Sequence, residues 1–293
     1  MTIKVKAPGS CGELVQGTIN GVNFLITCPV DWYSEITVTK DAVQAKIDPK
    51  TAAAVAKTFE YLNISGNIGL AVTSDLPVGK GMASSSADIS AACQAAALAV
   101  AGKQLSCDEI ADIALAIEPT DGIFYPGIIM FDHIEGKIRR PLGTPPHIYI
   151  AVFDVGGQVD TLAFNNREDL VVLNQDKESQ VATAVALVTQ GLKTGDARLI
   201  GQGATLSALA NQTILYKPCL EQVLQISQDY RAVGICAAHS GTVLGVMFSA
   251  DNMAGHDECI EKIGSQCLEM IYLKTVRLIT GGLIITGDDD GER

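Results

Sequence analysis

The segment Pro77-Val78-Gly79-Lys80-Gly81-Met82-Ala83-Ser84-Ser85-Ser86-Ala87 holds the residue types that handle phosphate. Gly79 and Gly81 let the backbone turn tightly and approach a ligand closely. Ser84, Ser85 and Ser86 open an Ala-rich run that ends at Gly102. They therefore stand where helix N–H groups point outward and the helix dipole is positive, which is a phosphate cradle. A hydroxyl there can also ligate a hard cation that bridges phosphates. Lys80, aimed at the phosphates, would stabilise charge on a transferring group, or else be a solvated loop residue. The spacing of a Walker A loop is absent. The plain alternative is a glycine turn followed by a serine cap.

A second group of chemical interest is Glu118-Pro119-Thr120-Asp121-Gly122. Two carboxylates three residues apart at a helix exit can take different roles if their surroundings differ. Glu118 could hold Mg2+ opposite Ser85, and Asp121 could accept or orient the proton of an attacking hydroxyl. Solvated acids at a helix end are the alternative.

The elements that must position these groups follow from pattern. Ile3–Ala7, Phe24–Cys28 and Ser34–Thr39 read as short strands, 52–62 as a helix and 67–74 as a strand. The run from Ser84 to Ala101 is a buried helix, and Ser106-Cys107-Asp108-Glu109 is a capping box that starts another, stopped by Pro119. Pro141 to Pro146 reads as the hinge between two halves. Beyond it, 147–153 is a buried strand. Helices are expected over 179–192, 196–211 and 219–230, strands over 232–237 and 243–248, a helix from Ala254 and a strand from Thr275. That order predicts an α+β second half.

Composition bounds the function. The 293 residues are 47% hydrophobic and 18% charged, enough for real cores in about two domains of roughly 150 residues each. A net charge of −12 opposes binding to nucleic acid or an anionic membrane, while leaving room for a local basic pocket. The longest candidate apolar stretch, 95–101, is far short of the ~18 residues of a membrane helix. The N-terminus lacks the apolar core of a signal peptide. Eight scattered cysteines with no C-x-x-C pair predict free thiols in a reducing cytoplasm.

The whole Pro77–Ala87 pattern resembles the second motif of the GHMP kinases, P-x-x-x-G-L-x-S-S-A, with Met82 in place of Leu and Ser86 at the first Ala position. Ala7-Pro8-Gly9-Ser10-Cys11-Gly12-Glu13-Leu14 is similar to the first motif, with Ser10 where several members carry Lys. Gly234 to Thr242 is similar to the third motif with fewer glycines, Ser240 and Gly241 forming its turn. Pro119-Thr120-Asp121 looks like a shortened form of the family's P-S-G-x-D carboxylate segment. The combination looks like the L-threonine kinase branch, whose members make O-phospho-L-threonine for the aminopropanol arm of cobalamin.

The resemblance implies a two-domain fold. Residues 1–146 would form an ATP-binding mixed α/β domain and 147–293 a ferredoxin-like α+β domain. It implies ATP with Mg2+, and L-threonine as a small-molecule acceptor; oligomeric state stays open. Pro77, Gly79, Lys80, Gly81, Met82, Ala83, Ser84, Ser85 and Ser86 would hold the nucleotide, Ser85 and Glu118 the metal, and Asp121 and Lys80 the catalysis. Ser10, Glu13, Asp160, Thr161, Ser240 and Gly241 would face the acceptor, with Asp160 suited to its α-ammonium. Asn165 stands where related homoserine kinases have the Arg that grips the amino acid, so the carboxylate clamp must come from elsewhere. A homoserine or isoprenoid-alcohol kinase, and a non-catalytic binding protein on the same fold, are the alternatives.

Overall fold

The computed structural model describes residues 2–39, 47–157, 159, 163, 164 and 167–287. Its spine is a hairpin of two long strands, β1 (Ile3–Ile19) and β2 (Val22–Thr39). They turn on Asn20-Gly21, both at positive φ (50° and 74°), the backbone that a two-residue hairpin with right-handed twist requires. The sequence pattern separates three short strands here. The structure runs the first on to Ile19 as β1 and joins the other two as β2, whose extra residues Asp31 and Trp32, between the pairs Gly9–Val30 and Pro8–Tyr33, bend the strand without ending it.

The first half continues with α1 (Pro49–Tyr61), β3 (Gly69–Ser74), α2 (Ser84–Ala101), α3 (Cys107–Leu115), β4 (Ile128–Phe131) and β5 (Arg139–Gly143). Helix α3 has the expected capping box but stops at Leu115, short of Pro119. That leaves Glu118 to Asp121 as an irregular turn rather than a helix exit. The stretch read as a hinge begins inside β5. It is an edge strand, where Pro141 costs no central ladder bond.

The second half comprises β6 (Ile148–Asp154), α4 (Leu170–Thr194), α5 (Ala197–Ala210), a 3-10 turn (Asn211–Thr213), α6 (Leu220–Asp229), β7 (Gly234–Ala237), β8 (Val243–Ser249), α7 (His256–Gln266), β9 (Ile271–Arg277) and β10 (Ile284–Gly287). Helix α4 starts well before Ser179, and its first turn exposes Val171 and Val172, so no buried stripe marks it in the sequence.

All ten strands join one sheet, with path β5-β4-β2-β1-β7-β8-β6-β9; β3 pairs with β2 and β10 returns to β1. The two halves meet at Glu13 with Ala237, where β1 pairs with β7, and again where β10 pairs with β1 from Ile3–Gly287 to Lys6–Ile284. Strand β6 alternates between cores with the period of two of a pleated strand. Ile148, Ile150 and Val152 pack with Val181, Val188 and Ile200 of α4 and α5, while Ala151 and Phe153 pack with Val223 of α6 and Ile263 of α7. A third core lies between α1, α2, α3 and the outer part of the β1–β2 hairpin. No helix among the described residues is long and apolar enough to cross a membrane.

Candidate active site

The junction of the halves gathers the chemistry. Helix α2 begins after Ala83, which sits in the left-handed region (φ 54°) and offers no side-chain cap. Its first helical bond runs from the Ala87 N–H to the Ala83 carbonyl. The N–H groups of Ser84, Ser85 and Ser86 have no acceptor among the described residues. Three outward donors at the positive end of a five-turn helix form an anion cradle.

The loop before it is fixed by neighbours from both halves. The Met82 carbonyl accepts from the Ser10 N–H at 3.0 Å, and the Lys80 carbonyl accepts from the N–H groups of Thr242 (2.9 Å) and Val243 (3.1 Å). Gly81 (φ 79°) and Gly241 interlock: a Cβ on Gly241 would come 2.3 Å from the Gly81 nitrogen, and one on Gly81 2.4 Å from the Ala238 Cβ. Met82 is buried in the core, and Gly79 takes positive φ. Thus the three sequence motifs become one bonded unit.

Lys80 does not lie free at the cradle. Its Nζ is 2.7 Å from Asp154 Oδ2, at the end of β6, and donates to the Gly157 carbonyl at 2.7 Å. Burial pushes the Asp154 carboxyl up, but Lys80 and the Gly156 N–H outweigh it and hold the group below its ordinary value.

The irregular turn after α3 carries both acids to the helix mouth. The Ser85 hydroxyl donates to Glu118 Oε1, and Lys50 Nζ, from the first turn of α1, lies 2.5 Å from Glu118 Oε2. A hydroxyl and a carboxylate are hard oxygen donors, the kind Mg2+ takes from protein while drawing its other ligands from phosphate and water. No cluster of three or more His, Cys, Asp or Glu that could hold an ion occurs among the described residues.

Asp121 is oriented by the next serine. The Ser86 hydroxyl donates to Asp121 Oδ2 at 3.1 Å and accepts from the Asp121 N–H at 3.0 Å. Withdrawal from water raises this carboxyl to about 6; the Ser86 bond opposes the rise and the Glu118 charge adds to it. Across a small cavity stands Glu13, raised by burial and by Asp121, with Oε2 lacking a hydrogen-bond partner. Thr120 Oγ1 and His133 Nδ1 are buried and equally unpartnered on the same wall. Burial lowers His133 to about 4, so it is a neutral ring. His239 packs edge-on against it (5.2 Å between centroids) and against Phe164 (5.1 Å), and its Nδ1 lies 3.0 Å from Gln16 Oε1.

Ser240 lines the cavity that contains Glu13 and Asp121, and Gly241 abuts Gly81 on that lining. The Ser10 hydroxyl is buried without a partner just beneath the loop. Asp160, Thr161 and Asn165 lie outside the described residues. Sequence reading does not mark Thr120, His133, Gln16 or Lys50: each is one residue of a common type, and what singles it out is burial or a partner far away in the chain.

Residues 50–125 match the GHMP kinases N terminal domain. The L-threonine kinase of Salmonella typhimurium is 34% identical over 248 residues, covering 83% of this chain and 81% of that protein. The L-threonine kinase of Citrobacter freundii is 30% identical, covering 95% and 98%. The chain belongs to the GHMP kinase family. Solved structures share its fold: homoserine kinase from Cytophaga hutchinsonii (TM-score 0.70, 18% identity, 97% of each chain) and mevalonate kinase from Methanococcus jannaschii (0.70, 14%, 94% and 98%). As in the expectation from sequence, this GHMP kinase is an α+β protein of two halves that uses ATP on a small molecule.

Proposed function

We propose that this GHMP kinase transfers the γ-phosphoryl of ATP to the side-chain hydroxyl of L-threonine. Its product, O-phospho-L-threonine, would serve the aminopropanol arm of cobalamin in the cytoplasm. The observation that carries the reading is the uncapped start of α2, with three N–H donors that find no acceptor among the described residues, directly beside an acid that its own third serine orients. Phosphoryl transfer needs placement and electrostatics more than covalent chemistry, and this site supplies both.

The N–H groups of Ser84, Ser85 and Ser86 would take phosphate oxygens. Ser85 and Glu118 would hold Mg2+, which neutralises charge on the phosphates when bound. Asp121 accepts the proton of the acceptor hydroxyl as the O–P bond forms and ADP leaves. A carboxyl near 6 is ionised at neutral pH yet basic enough to take that proton. Glu13, buried with an open oxygen, suits the acceptor's α-ammonium. Lys80 joins the phosphate loop to the acceptor side through Asp154, and from there would steady the loop that carries the phosphates.

A binding protein that had lost catalysis would have no use for an acid held by two bonds to Ser86. The test is ADP release with MgATP against L-threonine, L-serine, L-homoserine and mevalonate. L-threonine is expected to give the highest kcat/KM. A preference for homoserine or mevalonate would move the acceptor, and release with none would remove the kinase reading for these substrates.

A further inference from the structure

Two lysines lie deeper than lysines ordinarily do. Lys177, on α4, is 4% exposed, and Lys217, in the turn before α6, is 2% exposed. Neither has a carboxylate within ion-pair distance among the described residues. Lys177 Nζ donates to Asn211 Oδ1 at 2.7 Å, and Lys217 Nζ to the Gly241 carbonyl at 2.9 Å. An ammonium has three donors, so each bond leaves two without a described acceptor. Burial lowers both lysines to about 8, so both remain mainly charged at pH 7. A buried cation with no acid beside it among the described residues costs free energy.

The two converge on one place. Asn211 opens the 3-10 turn that takes Lys177, and the next residue, Gln212, accepts the Lys217 N–H on Oε1 at 2.8 Å. Both lysines depress the titration of His239, after burial and His133. Gly241 abuts Gly81 and follows Ser240, which lines the cavity with Asp121. Neither lysine lines that cavity itself: Lys217 reaches its edge through Gly241, and Lys177 lies against Gly17, next to the Gln16 that His239 meets.

We propose that Lys177 and Lys217 form the site that takes the acceptor's α-carboxylate, with neutral His239 between them and the reacting end of the pocket. The inference rests on reading the acceptor as an amino acid. It supplies the clamp that Asn165, standing where homoserine kinases have Arg, leaves open.

The experiment compares binding of L-threonine and L-threoninamide, which differ only in the carboxylate, by calorimetry in the presence of ADP. Wild type should prefer L-threonine by ~30-fold or more, as expected for a desolvated charge pair. K217M and K177M should each lose that preference by weakening L-threonine ~30-fold or more while leaving the amide within about 3-fold. Removing a buried, unpaired charge should also leave Tm equal or raise it, which a lysine serving only the fold would not do. ADP affinity should not change, and that shows the variants are folded. Equal weakening of both ligands, no weakening of either, or a wild type indifferent to the carboxylate would each overturn the proposal. If the acceptor panel selects L-serine or L-homoserine, the threonine reading fails alone, and the same pair of measurements on that amino acid and its amide decides the clamp.

Discussion

The nucleotide cradle and the acceptor pocket lie side by side but are built on opposite principles. The cradle is made from one contiguous stretch, Pro77 to Ser86, and its working groups are mostly backbone N–H donors and hydroxyls. The proposed acceptor pocket draws single residues from β1, the turn after α3, the loop after β4 and the turn after β7, with the lysines proposed behind it coming from α4 and the turn before α6, and its groups are buried acids and neutral rings. A cradle for phosphate needs a pre-oriented dipole, which a helix start provides locally. A pocket for a small zwitterion needs opposite charges on separate walls, and only distant parts of a chain can supply those without pairing to each other first.

The sharpest way to break this contrast is at Asp121, which both regions share. Asp121→Ala should lower kcat by ~100-fold or more with ADP affinity nearly intact, as for a group acting in the transition state. Steady-state turnover beside ADP titration checks it, and unchanged turnover removes Asp121 from the mechanism. In wild type, the same carboxyl should leave a signature in pH. Its value is raised to about 6, so the active, deprotonated form is lost as pH falls through about 6 and is complete above it. A profile of kcat/KM with an acid limb near 6 is expected; a limb near 4 would mean that Asp121 is not the group titrating.

A smaller effect is expected where a side chain helps the cradle. Ser85→Ala deletes the hydroxyl that meets Glu118 and should raise the Mg2+ concentration needed for half-maximal rate by about 10-fold, as loss of one hard ligand does. An identical Mg2+ titration would leave the cation to other groups. The smallest effect belongs to the rim. Lys50 is 44% exposed, and such an ion pair contributes less than about 1 kcal/mol, so Lys50→Met should shift Tm by only a few degrees. A large loss would mean that Glu118 depends on Lys50 to be tolerated where it is.

Much of the cradle was legible because its information is local. Two glycines, three serines and an alanine run announce a turn, a helix start and a buried helix within a few residues of each other. Glu118 and Asp121 were legible as acids beside a capped helix, although the helix ends sooner than Pro119 suggests. Other features carried signals of a different strength. Asn20-Gly21 is a hairpin signal that joins the first strands, and β4 is too short and uniformly apolar to show a period. Lys177, Lys217 and His133 carry no local mark at all. In sequence a lysine reads as surface, and only burial without an acid among the described residues makes these two unusual.

By itself, then, the order of residues determined most of the helices, several of the strands, the glycine-serine loop and the acids near it, since hydrophobic period, capping and glycine placement act over a turn or two of chain. The tertiary structure alone decided that Ser86 faces Asp121, that Lys80 is engaged by Asp154, and that Gly81 and Gly241 touch. It alone buried Lys177 and Lys217 with no carboxylate in ion-pair distance among the described residues. Those facts depend on how far a charge is taken from water and what meets it there, which is a property of the packed molecule and not of any segment.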